Sequence, residues 1–168
     1  MAKPHTRRGR KISTYKGSLY GNDLIIFGSY ETQCGGCDTI PSVHIVAEML
    51  HKYMALTNTL IFYEGLMISH MIGTVGNAAK PYGSNHLIGF LDTPLPICIA
   101  RIEQRRLEAG NTRPFDPNRT VVKDYKAVQA AKKNAFMQGL DVVDIRFEHS
   151  VVDTLAMIRQ LSLRGASR

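Results

Sequence analysis

The sequence predicts an α/β fold: a three-layer, mostly parallel sheet with helices on both faces. Three observations carry that expectation. Short apolar runs rich in β-branched residues, at 23–28, 57–63 and 86–91, are short enough to be buried strands. Between them, apolar residues recur at helical spacing, so strand and helix alternate along the chain. Glycines and polar residues gather just after the runs, at Gly28-Ser29-Tyr30, Glu64-Gly65 and Asp92-Thr93. In a parallel sheet that is where the ligand crevice lies.

Each element has its own signal. Lys11 to Tyr20 reads as a short strand and turn, punctuated by Gly17 and Gly21. Asp23-Leu-Ile-Ile-Phe-Gly28 is a buried strand. A helix is expected from about Pro41, capped by Thr39, because proline suits a first turn whose N–H has no partner. Val43, Val46, Ala47, Leu50 and Met54 form its apolar face. After the strand ending at Tyr63, Leu66 to Ala79 reads as one helix, with Gly73 and Gly76 each costing roughly 1 kcal/mol against alanine. His86 to Leu91 is a strand closed by Asp92, and Thr93-Pro94 opens a helix with Ile97, Cys98, Ile102 and Leu107 along one side. Gly110 to Pro117 is a loop, and Thr120 to Gln138 a long helix. Val143, Ile145 and Phe147 alternate with charged residues as a half-buried strand, and Ser150 caps a last helix with Asp153 three residues on. One domain is expected over 12–163, with a lid near 108–119, a basic tail over 1–11 and a short tail over 164–168.

Length and composition fit this picture. The chain has 168 residues, 44% of them hydrophobic and 21% charged, which is enough for one globular core. No apolar run reaches the ~20 residues that span a membrane, and the basic start lacks the apolar stretch of a secretory signal. Three cysteines do not make an even secreted framework, so a reduced, cytoplasmic setting is expected. The net charge of +7 suits either polyanion binding or a solvated basic surface.

Several residues are candidates for chemistry. Cys34-Gly35-Gly36-Cys37 is open to three readings: a metal clip, a redox pair, or a tight loop. A zinc site needs a second pair that the sequence does not offer, and a redox pair would open a helix. The loop reading uses Gly35 and Gly36 to bring Asp38 to a strand end. Glu64, at the end of another strand, suits Mg²⁺ through water or a favourable helix N-terminus. Arg101 and Arg105 share a helix face, and Arg106, Arg113 and Arg119 flank the glycine- and proline-containing loop. Guanidinium groups around a mobile loop suit phosphate, although Glu103 and Glu108 are near enough for surface ion pairs. His44, Glu48 and His51 share a polar helix face, where solvation outweighs metal binding.

The segments "LIFYEGL", "HLIGFLDTPLPICIARIEQRR" and "EAGNTRPFDPNR", followed by a long helix, resemble the P-loop nucleoside/nucleotide kinase superfamily. "YETQCGGCD", from Tyr30 to Asp38, resembles the substrate loop of its phage-type members, including kinases of 5-hydroxymethyluracil in DNA. The resemblance implies ATP and Mg²⁺ as co-reactants and a nucleotide or DNA base as acceptor. It gives Asp38 the acceptor hydroxyl, Glu64 the Mg²⁺, Arg105, Arg106 and Arg113 the transferring phosphoryl group, and Tyr30 the base. Gly35, Gly36, Arg101 and Arg119 complete the substrate side, and a phage enzyme implies the host cytoplasm.

One departure is large. The family's cradle, G-x-x-x-x-G-K-[ST], is not in these residues; no glycine is followed by lysine. In the family the strand before the cradle lies between the strands that here end in Glu64 and Asp92. Without it those strands are expected to close up, leave an apolar slot or accept another chain. Little ATP turnover is expected from the chain alone, and an open sheet edge invites homo-oligomers. The competing expectation is a non-catalytic, basic nucleic-acid-binding or oligomer-forming module.

Overall fold

Alternating and apolar runs build three small sheets. The computed structural model describes residues 5–7, 10–31 and 35–166. Strands β1 (His5–Arg7) and β2 (Arg10–Ile12) form an antiparallel pair. Next, β3 (Thr14–Leu19) turns through Tyr20-Gly21 and runs antiparallel to β4 (Asn22–Phe27). After helix α1 (Val43–Tyr53), β5 (Thr59–Phe62) lies parallel to β4, with Leu24 opposite Leu60 and Ile26 opposite Phe62. Helices α2 (Leu66–His70) and α3 (Ile72–Ala79) follow, then β6 (Ile88–Asp92), α4 (Leu95–Glu108), α5 (Val121–Met137), β7 (Val142–Arg146) and α6 (Ser150–Ala166). β6 and β7 are parallel to each other. Among the described residues β5 and β6 do not pair, so the strands fall into separate sheets.

Helix ends depart from the sequence reading in three places. Ser42, not Thr39, caps α1, its hydroxyl accepting the His44 N–H at 3.1 Å. The Thr39 hydroxyl is instead engaged by the Ser29 N–H and the Gly36 carbonyl. The single helix expected over Leu66–Ala79 breaks at Met71, whose N–H turns to the Ile68 carbonyl three residues back. Gly76 survives inside α3 for a packing reason: a Cβ there would lie 2.7 Å from Leu140 Cδ1. Finally, Phe147 leaves the last strand for a short 3₁₀ turn, and Asp153 accepts from the Arg146 backbone and guanidinium.

Two apolar clusters hold the elements. The first joins Ile25 and Phe27 of β4 to Val46, Met49 and Leu50 of α1. The rings of Tyr53 and Tyr63 stand 5.7 and 6.1 Å from that of Phe27. The second joins Phe90 to Ile72, Ala131 and Ala135, so α3 and α5 cover one face of the β6–β7 sheet. The other face meets α6, because a Cβ on Gly89 would touch Ile145 and Met157. α6 also reaches the first half of the molecule: the Asn22 side-chain amide donates to the Ser162 hydroxyl at 2.7 Å.

Between the two halves, Tyr63 and His86 stack with ring centroids 5.9 Å apart, and the Tyr63 hydroxyl is hydrogen-bonded to His86 Nε2. Burial raises the pKa of the Tyr63 hydroxyl, which therefore stays protonated and donates. Burial pulls His86 down from its ordinary 6.5 to about 4, partly offset by Asp141. Between those two values the unfolded chain takes up a proton that the folded chain refuses, so stability is full above pH 6.5 and is lost as pH falls towards 4. The slope is at most about 1.4 kcal/mol per pH unit. Urea unfolding across that window is expected to show this loss, and a His86→Gln variant is expected to flatten it.

Candidate functional site

Strands β4 and β5 are stitched together just beyond their carboxyl ends. Gly28 takes φ +90°, and a Cβ on it would lie 1.9 Å from the Gly36 carbonyl oxygen, so only glycine allows the loop to fold back. The Gly36 N–H donates to the Ser29 carbonyl at 2.9 Å, and the Cys37 N–H to the Glu64 carbonyl at 2.7 Å. A short 3₁₀ turn, Cys37–Thr39, then delivers Asp38 to the start of α2. Its two carboxylate oxygens accept the Leu66 and Met67 N–H groups at 2.9 and 2.8 Å. Asp38 therefore caps a helix, and both its oxygens are already engaged.

Glu64 has more spare capacity. The Tyr30 hydroxyl hydrogen-bonds its carboxylate. Partial burial raises the Glu64 pKa, Asp38 pushes the same way, and the Tyr30 bond partly offsets both. Tyr30 itself is raised by burial and by Glu64, so its hydroxyl remains a donor. The Tyr30 N–H meets the Tyr15 hydroxyl at 3.3 Å, and the two rings stand 6.0 Å apart and tilted by 60°. Both rings are partly open to solvent. Two aromatic surfaces beside a carboxyl of raised pKa can stack a planar ligand and handle a proton.

The structure thus gathers Tyr30, Gly35, Gly36, Asp38 and Glu64. It adds Tyr15, which the sequence reading missed because only the β3–β4 register, Tyr15 opposite Ile26, reveals its place. Cys34 lies outside the described residues. Cys37 is fully buried, and burial together with Glu64 pushes its thiol up to about 12, which opposes thiolate chemistry.

The arginines lie elsewhere, on α4 and the loop after it. Arg106 sits 4.9 Å over the Phe115 ring and donates to the Arg113 carbonyl and Asn111 Oδ1, so it knits the loop. Arg101 lies 5.7 Å over Phe147. Arg105, Arg113 and Arg119 are exposed and form no ion pair among the described residues.

A cavity of about 1240 Å³ runs from this site into the molecule, between β5 and β6. Glu64, Gly65 and Thr93 line it at the strand ends, with Leu60, Ile88 and Phe90 deeper in. α4 contributes Cys98 and Ile102 but no buried residue, and Leu107 is 78% exposed. Of the four apolar residues along the apolar side of α4, Cys98 and Ile102 line the cavity, and Ile97 and Leu107 are exposed. None of the five arginines lines it. Among the described residues no group of three or more His, Cys, Asp or Glu is placed to hold a metal. A Mg²⁺ ion is compatible with Glu64 only if water and phosphate supply its other ligands.

Two curated relatives are similar to this chain. One, named 5-hmdU DNA kinase, from Pseudomonas phage PaMx11, is 34% identical over 122 residues, which are 72% of this chain and 63% of that protein. Another of the same name, from Pseudomonas phage M6, is 28% identical over 144 residues, covering 82% of this chain and 74% of its own length. The chain thus spans a little under two thirds of the first relative. No family model matches, and no solved structure matches.

Two outcomes follow from the carboxylates. Asp38→Ala is expected to cost about 1 kcal/mol in urea unfolding, because two α2 N–H groups lose their acceptor. For Glu64 the folded chain holds its proton more tightly than the unfolded chain. That contribution to stability is fully present below the unfolded carboxylate range and is lost as pH rises from there through the raised pKa of the folded chain. Glu64→Gln is expected to be the more stable protein at pH 7, with the gain vanishing below about pH 4.

Proposed function

We propose that this chain is the acceptor side of a kinase-type phosphotransferase that acts on the hydroxyl of a modified base in DNA, of the 5-hmdU kind. The observation that carries the reading is the 34% identity over 122 residues to a phage relative bearing that name. The site agrees in chemistry. Tyr15 and Tyr30 offer ring faces for a base turned out of its stack. Glu64, with its raised pKa and free acceptor capacity, orients the acceptor hydroxyl and takes its proton. Asp38 acts through position, fixing the start of α2 beside Glu64. Arg105, Arg113 and Arg119 are the cations available for phosphate, whether of the co-substrate or of the DNA backbone.

ATP would supply the phosphoryl group and Mg²⁺ its charge shield. The residues given contain no G-x-x-x-x-G-K-[ST] cradle, and weak ATP turnover by the chain alone belongs to this reading. Uncommitted arginines and a net charge of +7 also favour a second reading, a nucleic-acid-binding module without chemistry. No helix among the described residues is long and apolar enough to cross a membrane.

Binding to single-stranded DNA with one 5-hmdU, against the same strand with thymidine, separates the readings. The acceptor site is expected to prefer 5-hmdU, and Tyr30→Ala is expected to weaken binding by roughly five- to hundredfold, the value of one stacked base. Equal binding of both strands with a steep salt dependence would leave the module reading in its place. Robust phosphoryl transfer by the chain alone would contradict the dependence on a cradle.

A further inference from the structure

We propose that the β1–β2 hairpin is a clamp for a nucleic-acid backbone. It holds phosphates of a single DNA strand, one of whose bases lies against Tyr15 and Tyr30. The proposal rests on the nucleic-acid substrate of the kinase-type reading and adds to it the path that the strand takes.

The excess basic charge is concentrated in one stretch. Lys3, Arg7, Arg8, Arg10, Lys11 and Lys16 all precede Asp23, the first acidic residue in the sequence. Six cations against no anion account for nearly all of the net +7. The residues from Asp23 onward share the remaining 15 of the 21 cations among all 14 anions and are close to neutral. A field this one-sided favours a polyanion, and a basic stretch on one element is the electrostatic footprint of nucleic-acid binding.

The fold roots this stretch beside the candidate site. Ile12, at the end of β2, is buried with Ile25 and Phe27 of β4. The Ser13 carbonyl accepts the Gly28 N–H at 3.0 Å, and Thr14 stands opposite Phe27. The hairpin therefore starts from the carboxyl end of β4. Tyr30 and the Gly36 crossing leave from that same end, and β5, parallel to β4, brings Glu64 there too. From Lys11 to Tyr15 an extended chain covers at most about 13 Å, or about four stacked nucleotides of one strand. A strand whose base meets the two tyrosine rings thus carries its neighbouring phosphates past the hairpin.

The hairpin itself has a use for an anion. Its register sets Arg7 opposite Arg10, and Thr6 opposite Lys11. Like charges directly opposite one another in a ladder destabilise it. Among the described residues β1 and β2 pair only with each other, and a lone two-stranded ladder is marginal in water. A phosphate taken up by the arginines offsets their repulsion, so binding and ordering of the ladder are coupled. A lipid surface also offers phosphate, but it gives the Tyr15 and Tyr30 rings no planar group to stack on. Aromatic rings beside concentrated positive charge select a nucleic acid.

Fluorescence anisotropy of the full chain on a DNA strand of about 20 nucleotides, titrated with salt from about 50 to 300 mM, tests this. One strand carries a single 5-hmdU, and a second carries thymidine in its place. The triple variant Arg7→Ala, Arg10→Ala, Lys11→Ala is expected to reduce the slope of log affinity against log salt by about 2, some 0.7 per lost phosphate contact, on both strands alike. A charge-matched triple, Lys126→Ala, Lys133→Ala, Arg159→Ala, removes exposed cations of α5 and α6 and is expected to keep the slope within about 0.5 of the original. In the unaltered protein, DNA is expected to slow amide exchange in His5–Arg7 and Arg10–Ile12 by about tenfold or more, a readout that needs no substitution. The proposal is overturned if the hairpin variant keeps the full slope, if the charge-matched variant loses as much, or if DNA leaves those amides unprotected. A hairpin variant that loses binding to phosphatidylserine vesicles while its DNA binding stays intact would also overturn it, in favour of a lipid surface. Equal affinity of the unaltered protein for the two strands counts against the base-specific reading alone, because the hairpin acts on the slope whatever the base.

Discussion

The close crossing of the loop after β4 over the end of β5 is the contact on which the candidate site depends. Gly28, Gly36 and Gly65 all sit where a side chain would collide with a neighbour. At Gly36 the obstacle is the Glu64 carboxylate itself, 2.1 Å from a would-be Cβ, and at Gly65 it is Asp38. The glycines thus let two carboxyls and a backbone crossing share a very small space. That crowding has an electrical consequence. Asp38 finds two N–H donors and is satisfied, whereas Glu64 has one phenol and a negative neighbour. Burial chiefly raises the Glu64 pKa, and Asp38 pushes the same way. A carboxyl of raised pKa in a crowded site is a common basis for acid–base work.

The rest of the molecule is held together by helices more than by strands. α5 packs against α2, α3 and α4, and α6 spans from the β6–β7 sheet to Asn22 at the start of β4. The Tyr63–His86 pair bridges the halves at the side of the slot. Side chains and helices carry the join, and among the described residues β5 and β6 form no ladder with each other. β5 is half-buried along its length, and β6 is open at Leu91 and Asp92. The α4 face shows the same deficit: Ile97, Cys98, Ile102 and Leu107 have helical spacing for a core, yet none is buried.

Much of the element order was legible in the sequence because short β-branched runs and 3.6-residue periodicity report local burial. Asn22–Phe27, Thr59–Phe62 and Ile88–Asp92 are strands for that reason. Helix ends were less legible. Thr39 has the chemistry of a cap, but its hydroxyl is drawn into the Ser29–Gly36 crossing, a contact made only when the loop folds back. The role of Asp38 was half visible. Its proximity to a strand end follows from Gly35-Gly36, but its capture by Leu66 and Met67 depends on where α2 starts in space. Tyr15 was invisible because its partner Tyr30 is fifteen residues away and meets it only through the β3–β4 register. Arg106 is a candidate phosphate ligand by type, and its contacts with the Phe115 ring and the Arg113 carbonyl, local to its own loop, are not visible in sequence.

That last difference separates the five arginines by physics. A guanidinium stacked on Phe115 and hydrogen-bonded to the loop has already given up part of its hydration and spent two of its five donors. Moving it to a phosphate would undo the contacts that shape the loop. Arg105, Arg113 and Arg119 have made no such commitment among the described residues, and they lie before, within and after the segment that Arg106 braces. The braced loop therefore acts as a frame: one arginine fixes its shape, and the uncommitted ones are displayed around it. None of the five lines the cavity that holds Glu64.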